Sequence, residues 1–263
     1  MLERPTATRA EAALLPRPPY IPADISRPEI RYPWDEWNVS RTYQPADPEL
    51  LRRLTLVTHR AQVGLTIATM EWITSRYDAL TTETFPSEYL EAAWAANVDL
   101  AYAEYIETDD EEWRGPILGP LNIGLKIVVE SLFLADQIAN PALHPCWAYK
   151  LACLVLPETT AFKAWHNDVV SRLEEYYRAL PEDAQPLFSA DGYVMDPPVA
   201  RETFNPDVPF NPESAAVLID RYLRALNYEE NRFLRTPEDL QEMEFEGHPY
   251  RFPPNPPQPG EGA

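Results

Sequence analysis

Apolar residues recur at three- and four-residue steps through most of the central chain, the spacing that places side chains on one face of an α-helix. The first run begins at "DPELLRRL", where Asp47 suits an N-cap and Pro48 suits the first helical position. The pattern predicts one long helix from 47 to about 80, bent at Gly64. Its apolar positions are Leu50, Leu54, Val57, Ala61, Leu65, Ala68 and Trp72.

The next three runs predict helices over residues 87–106, 120–139 and 144–156. In the first of them the apolar stripe is Leu90, Trp94, Val98, Ala101 and Tyr105. Residues 120–139 are apolar nearly all round, which is typical of a central helix enclosed by others. The helix of "HPCWAYKLACLVLP" should close before Pro157.

Residues 158–180 show the clearest amphipathic pattern, and two shorter helices follow it. "NPESAAVLIDRYLRAL" is predicted to begin with Asn211 as its cap, and "TPEDLQEM" with Thr236 as its cap. The apolar face of the 158–180 helix is Phe162, Trp165, Val169, Leu173, Tyr176 and Leu180.

Proline separates the helical middle from the two ends. Of the 29 prolines, nine lie in residues 1–48 and fourteen in 181–263, where they favour extended, turn-rich chain. The predicted fold is all-α, an irregular helical bundle of about six to seven helices with long Pro-rich flanks. We expect one domain, with an extended arm over 1–46, a central bundle over 47–181, and an irregular segment with two further helices over 182–263. The tail "FPPNPPQPG" is expected to lie on the surface or, alternatively, to bind an aromatic groove as polyproline II.

Composition narrows the choice of partners. The formal net charge is −20 and the calculated pI is about 4.5, so nucleic acid and anionic membranes are disfavoured as partners, and a basic protein or a cationic ligand is favoured. Cys146 and Cys153 are seven residues apart on a predicted helix, roughly 10 Å along its axis, too far for a disulfide. Free thiols and the lack of an apolar leader favour a cytoplasmic, soluble protein.

The apolar run over 117–139 contains Asn122, Lys126, Glu130 and Asp136, which argues against a membrane span.

One short stretch resembles a known metal site. "NDVVSRLEE" places Asn167, Ser171 and Glu175 four residues apart, which is similar to the second magnesium motif of class I terpene synthases. The resemblance implies that these three residues bind magnesium together with an aspartate-rich motif. Here, however, "TDDEEW" has Trp113 at the position of the last carboxylate, and the helical wheel turns the triad away from the apolar face. We therefore predict a polar helix face and no metal site.

No other motif in the sequence indicates a catalytic residue or a cofactor. The eight glycines form no phosphate-binding loop or dinucleotide fingerprint, and neither HExxH nor GxSxG occurs. His166 falls at the edge of an apolar stripe and is predicted to be packed rather than catalytic.

One charged segment exceeds what the composition leads us to expect. Between Tyr77 and Trp113 there are eleven acidic residues and no Lys, Arg or His. On the predicted helix over 87–106, several acids share a face with small and aromatic residues, which suits a contact surface. The alternative is a solvated surface that serves solubility. The predicted partner-binding residues are Glu88, Glu91, Asp99, Tyr102, Glu104, Glu107, Asp109, Asp110, Glu111 and Glu112.

The leading hypothesis is a non-enzymatic acidic protein that neutralises a basic protein partner. Immunity proteins of bacterial toxin–immunity pairs, as in interbacterial secretion systems, are of this kind: they act as inhibitors of a cognate toxin and need no catalytic motif. The analogy rests on charge, size and lack of motifs. The alternatives are an all-α small-molecule enzyme with a magnesium-dependent, terpene-synthase-like site, and a structural or adaptor protein of a larger assembly.

Overall fold

The computed structural model describes residues 16–179 and 196–253. Within these ranges the protein is all-α, as predicted, and has no β-strand. Its helices are α1 (Ser40–Tyr43), α2 (Pro48–Leu54), α3 (His59–Tyr77), α4 (Phe85–Ala96), α5 (Gly115–Phe133), α6 (Leu143–Val155), α7 (Thr160–Tyr176), α8 (Ala215–Ala225) and α9 (Pro237–Glu242). Among the described residues the expected six to seven helices become nine, because α1 was not predicted and the first long run is split.

The predicted helix starts are confirmed where polar side chains cap them. The Asp47 carboxylate accepts hydrogen bonds from the backbone N–H groups of Glu49 and Leu50, both at 3.0 Å. Thr236 begins α9 with a capping box that Asp239 completes. Asn211 caps a short 3₁₀ turn that leads into α8.

The prediction of one helix from 47 to 80, bent at Gly64, is wrong. α2 ends at Leu54 and α3 begins at His59. In the break, the Gln62 amide donates hydrogen bonds to the carbonyls of Leu54 and Val57, at 3.0 and 2.8 Å. Gly64 lies inside the continuous α3, and its missing side chain makes room for the ring of Phe204. Periodicity continues across the break because buried residues lie on both sides of it.

The helix predicted over 87–106 also ends early, at Ala96. Arg60 of α3 binds the carbonyls of Asn97, at 2.8 Å, and Val98. These contacts satisfy carbonyl groups that a helix end leaves without partners. The chain then forms a 3₁₀ turn over Leu100–Tyr102.

α3 is the central element of the core. It packs against α4, α5 and α6, and nearly all of its residues are buried. The predicted burial of Trp94, Phe162 and Trp165 is confirmed. The prediction for Tyr176 is wrong, because its side chain is exposed and Tyr177 is buried instead. Leu180 lies outside the described residues, as does most of the Pro-rich tail.

α5 meets the length and composition expected of a membrane span. However, 61% of its apolar window is buried inside the fold, as is also the case for core helices of proteins that cross no membrane. Pro120 lies within this helix and cannot donate the usual bond to the carbonyl of Pro116. The Tyr32 hydroxyl of the N-terminal arm donates to that carbonyl instead, which ties the arm to α5.

Candidate protein-binding surface beside helix α5

Six of the ten residues predicted to bind a partner lie together on the surface. They belong to the loop that joins α4 to α5, and we call residues 104–112 the acidic segment. All six acids of this segment are exposed: Glu104, Glu107, Asp109, Asp110, Glu111 and Glu112.

Three of the other four predicted residues are buried, and the structure revises their role. The Glu88 carboxylate is 2% exposed and lies 3.0 Å from Arg232. Glu91 accepts a hydrogen bond from the amide of Asn231 at 2.8 Å. Tyr102 is 1% exposed and accepts a hydrogen bond from the backbone N–H of Tyr250. The C-terminal chain covers these residues, so they do not belong to the exposed surface that the acidic segment forms.

Asp99 is half-buried and has a local structural role. Its carboxylate accepts a hydrogen bond from Ala101 N at 2.9 Å and caps the Leu100–Tyr102 turn. Because α4 ends before Asp99, the helical face predicted to join this residue to Glu88 and Glu91 does not exist.

The acidic segment forms one wall of a cavity beside α5. This first cavity has a volume of about 360 Å³. Tyr105, Ile106 and Glu107 line it from the acidic segment. Tyr105 is 46% exposed and packs edge-on against Phe133 of α5, so an aromatic ring stands among the carboxylates.

A second cavity of about 390 Å³ lies on the other side of Lys126, which lines both cavities. The N-terminal arm supplies most of its aromatic wall. The Trp34 ring reaches it by lying on Gly119, where a Cβ atom would come within 2.6 Å of the indole. Its aromatic lining residues are Trp34, Trp37, Tyr43 and Trp113.

Trp37 is the most exposed large apolar side chain among the described residues, at 89%. A turn holds it there, since the Asp35 carboxylate accepts hydrogen bonds from the Trp37 N–H and the Asn38 amide. Exposed tryptophans are costly in water and are enriched among the residues that dominate protein interfaces. Trp37, Trp34 and Tyr105 were not predicted as site residues. The sequence feature that could have indicated Trp34 and Trp37 is the aromatic and acidic cluster "PWDEW". Nothing in the sequence, however, places this cluster beside α5.

Two cations offset part of the negative charge. Lys126 and the amide of Asn122 both bind the Asp110 carboxylate, and these bonds hold the pKa of Asp110 below its usual value. Arg114 donates to the carbonyl of Asp110 and lies 3.9 Å from Glu111. The carboxylates of the other acids have no ion pair with any described residue: Glu104, Glu107, Asp109 and Glu112. A net negative field therefore faces solvent around two partly aromatic cavities.

The triad that resembles a magnesium motif faces outward, as predicted. Asn167, Ser171 and Glu175 are exposed. The guanidinium of Arg53 binds two of these side chains: it donates hydrogen bonds to Asn167 Oδ1 at 3.2 Å and to Ser171 Oγ at 3.1 Å. It also forms an ion pair with the neighbouring Glu174 at 2.6 Å. Among the described residues, no group of three or more His, Cys, Asp or Glu side chains could hold a metal ion.

The buried histidines and Cys146 have pKa values far from neutral pH. Burial lowers the pKa of His59 and of His144 to about 4, and that of His166 to about 3. His166 packs among aromatic rings, 4.5 Å from that of Tyr149, as predicted. Burial raises the pKa of Cys146 to about 12, so its thiol is a poor nucleophile near neutral pH. Both cysteines are free.

Comparison with known proteins adds no relative. No protein-family model, no curated protein and no solved structure matches the chain.

Proposed function

We propose that this protein binds a basic protein partner through the acidic segment and the two cavities beside α5. The observation that carries the proposal is the combination of six exposed carboxylates in nine residues with an aromatic wall that includes Trp37 and Tyr105. Carboxylates attract a cationic partner over long distances, whereas aromatic side chains supply contact area at the centre of an interface. A segment that served solubility alone would not need the aromatic wall.

Within this class, we propose an immunity protein that neutralises a cationic toxin by covering its functional surface, in the cytoplasm of a bacterium. This role requires a complementary surface and no catalytic group. Toxin and immunity genes of secretion systems are adjacent, so the product of the neighbouring gene is the first partner to test.

The test compares two variants with equal net charge. In the first, Glu104, Glu107 and Glu112 are changed to Lys; their side chains make no hydrogen bond with any described residue, so the fold should tolerate the change. In the second, Asp168, Glu175 and Asp207, which are exposed on or near α7, are changed to Lys. Each reversal changes the charge by two, so the variants differ only in the location of the change.

The expected result is that the first variant loses at least about a hundredfold in affinity for the co-expressed partner, while the second stays within about threefold of the wild type. The change Trp37→Ala should weaken binding by about tenfold or more without changing stability. Equal losses in the two Lys variants would show that net charge, and not this surface, governs binding.

A further inference from the structure

A third cavity lies beneath the N-terminal arm and shares no lining residue with those beside α5. Its volume is about 210 Å³. α3 and α4 form two of its walls, and Arg201 closes a third. The polar lining residues are Arg17, Glu71, Thr74, Ser75, Asp78, Ser87, Glu91 and Arg201.

Glu71 fixes one side of this cavity. Its carboxylate accepts hydrogen bonds from Trp94 Nε1 at 3.0 Å, from the Tyr20 hydroxyl at 2.9 Å, and from Arg201 at 2.6 Å. Glu71 and Arg201 therefore neutralise each other. Glu71 is the only hydrogen-bond partner of the Arg201 guanidinium in the described chain, so the remaining N–H groups of Arg201 are available to a ligand.

Glu91 has no ion-pair partner among the described residues, although Arg201 is near enough to affect its pKa. Its side chain is more than nine-tenths buried, and one carboxylate oxygen accepts the Asn231 amide at 2.8 Å. The other oxygen has no hydrogen bond to any part of the chain that the structure describes, and Glu91 forms no ion pair there. Its neighbour Glu88, by contrast, has Arg232 as a partner. Burial raises the pKa of Glu91, and this effect outweighs the hydrogen bond from Asn231 and the charge of Arg201, both of which lower that pKa.

One further polar group of the cavity lacks a hydrogen-bond partner. Thr74 Oγ1 is buried and has no hydrogen bond within residues 16–179 or 196–253. At the edge of the cavity, Arg17 and Asp78 form an ion pair at 2.6 Å, so together they add no net charge. The cavity thus carries one excess negative charge, at Glu91, together with hydroxyl acceptors and guanidinium donors.

We infer that this cavity binds a small primary ammonium compound with a hydroxyl or similar acceptor. An ammonium group has three N–H donors, which match the free oxygen of Glu91 and the hydroxyls of Thr74 and Ser87. The acceptor of the ligand meets the free N–H groups of Arg201. A cavity of about 210 Å³ corresponds to roughly seven waters of liquid volume, so the ligand has only a few non-hydrogen atoms.

Ethanolamine is the probe, and isothermal titration calorimetry of the full chain is the measurement. Ethanolamine hydrochloride should bind with saturable heat, whereas ethylene glycol, which lacks the charge, and potassium chloride, which lacks the directed donors, should not. If potassium or ethylene glycol gives the same heat as ethanolamine, or if ethanolamine gives none, the inference is overturned.

Two variants locate the binding site. Glu91→Gln keeps the size of the side chain and removes the charge, and it should weaken ethanolamine binding by at least about tenfold. The matched control, Glu104→Gln, should bind as the wild type does. If Glu91→Gln fails to fold, Ser87→Leu, which fills the cavity from α4 without changing charge, should block binding. Unchanged binding in Ser87→Leu contradicts the inference. None of these outcomes depends on a protein partner, so they are separate from the test of the proposed function.

Discussion

The replacement Glu71→Ala tests how much one buried carboxylate, which links three parts of the chain, contributes to the free energy of unfolding. Glu71 is 7% exposed and accepts hydrogen bonds from Trp94 of α4, Tyr20 of the arm and Arg201 of the C-terminal segment. Each hydrogen bond to a charged group contributes about 1.5–3 kcal/mol, but contributions that share one acceptor do not add. Removing one member of a buried ion pair costs about 3–5 kcal/mol. The Arg201 side chain is 20% exposed and can regain some water, so we expect a loss near 3 kcal/mol.

Urea unfolding followed by far-UV circular dichroism measures this loss. The control is Glu174→Ala, which removes the ion pair with Arg53; the Glu174 side chain is 31% exposed, against 8% for Glu71. The control should lose about 1 kcal/mol or less. The double variant Glu71→Leu with Arg201→Met should be more stable than Glu71→Leu alone, because it leaves no buried charge without a partner. If Glu71→Ala loses no more than the control, the reasoning is refuted.

Three further predictions concern stability, pH and metal. Gly64→Ala should destabilise the protein by about 1–3 kcal/mol in urea, despite the better helix propensity of Ala, because the new Cβ would lie 2.8 Å from Cε2 of the buried Phe204 ring; a stabilised variant would contradict the packing. Burial lowers the pKa of His166 to about 3 from 6.5, so below pH 6.5 the unfolded chain binds a proton that the folded chain does not. The free energy of unfolding should therefore fall as the pH falls from 6.5 towards 3, and less steeply in His166→Met; equal slopes would disprove this. Asn167→Ala combined with Glu175→Ala should change stability by no more than about 0.5 kcal/mol, and magnesium with pyrophosphate should not shift the melting temperature of the wild type; a shift lost in the double variant would restore the metal site.

Local rules predicted much of the fold. The caps at Asp47 and Thr236 depend on a few adjacent residues, and periodicity correctly assigned Phe162 and Trp165 to the core and the Asn167 row to the surface. The end of α4 could not be predicted in this way. It depends on Arg60, which lies 37 residues from Asn97 and binds its carbonyl.

The candidate site was also predicted only in part, because some of its features depend on adjacent residues and others on contacts between distant parts of the chain. The exposed acids of residues 104–112 follow from a local run of charge, which folding left at the surface. In the sequence, Glu88 and Glu91 are as plausible as surface residues as those acids. In the fold they are buried by Asn231 and Arg232, which lie about 140 residues later in the chain. Trp37 comes to the same surface through contacts of the arm with α5 that no periodic pattern encodes.

The most direct test of the proposed function is the rate of association with the product of the neighbouring gene, measured by stopped-flow fluorescence. Between about 0.05 and 0.5 M salt the Debye length falls from roughly 14 to 4 Å, so steering by the acidic segment should be largely screened. We expect wild-type association to slow steeply over this range, while dissociation changes little. The variant with Glu104, Glu107 and Glu112 changed to Lys should associate slowly at all salt concentrations. An association rate that responds neither to salt nor to these three changes would contradict the proposal that the acidic segment binds the partner.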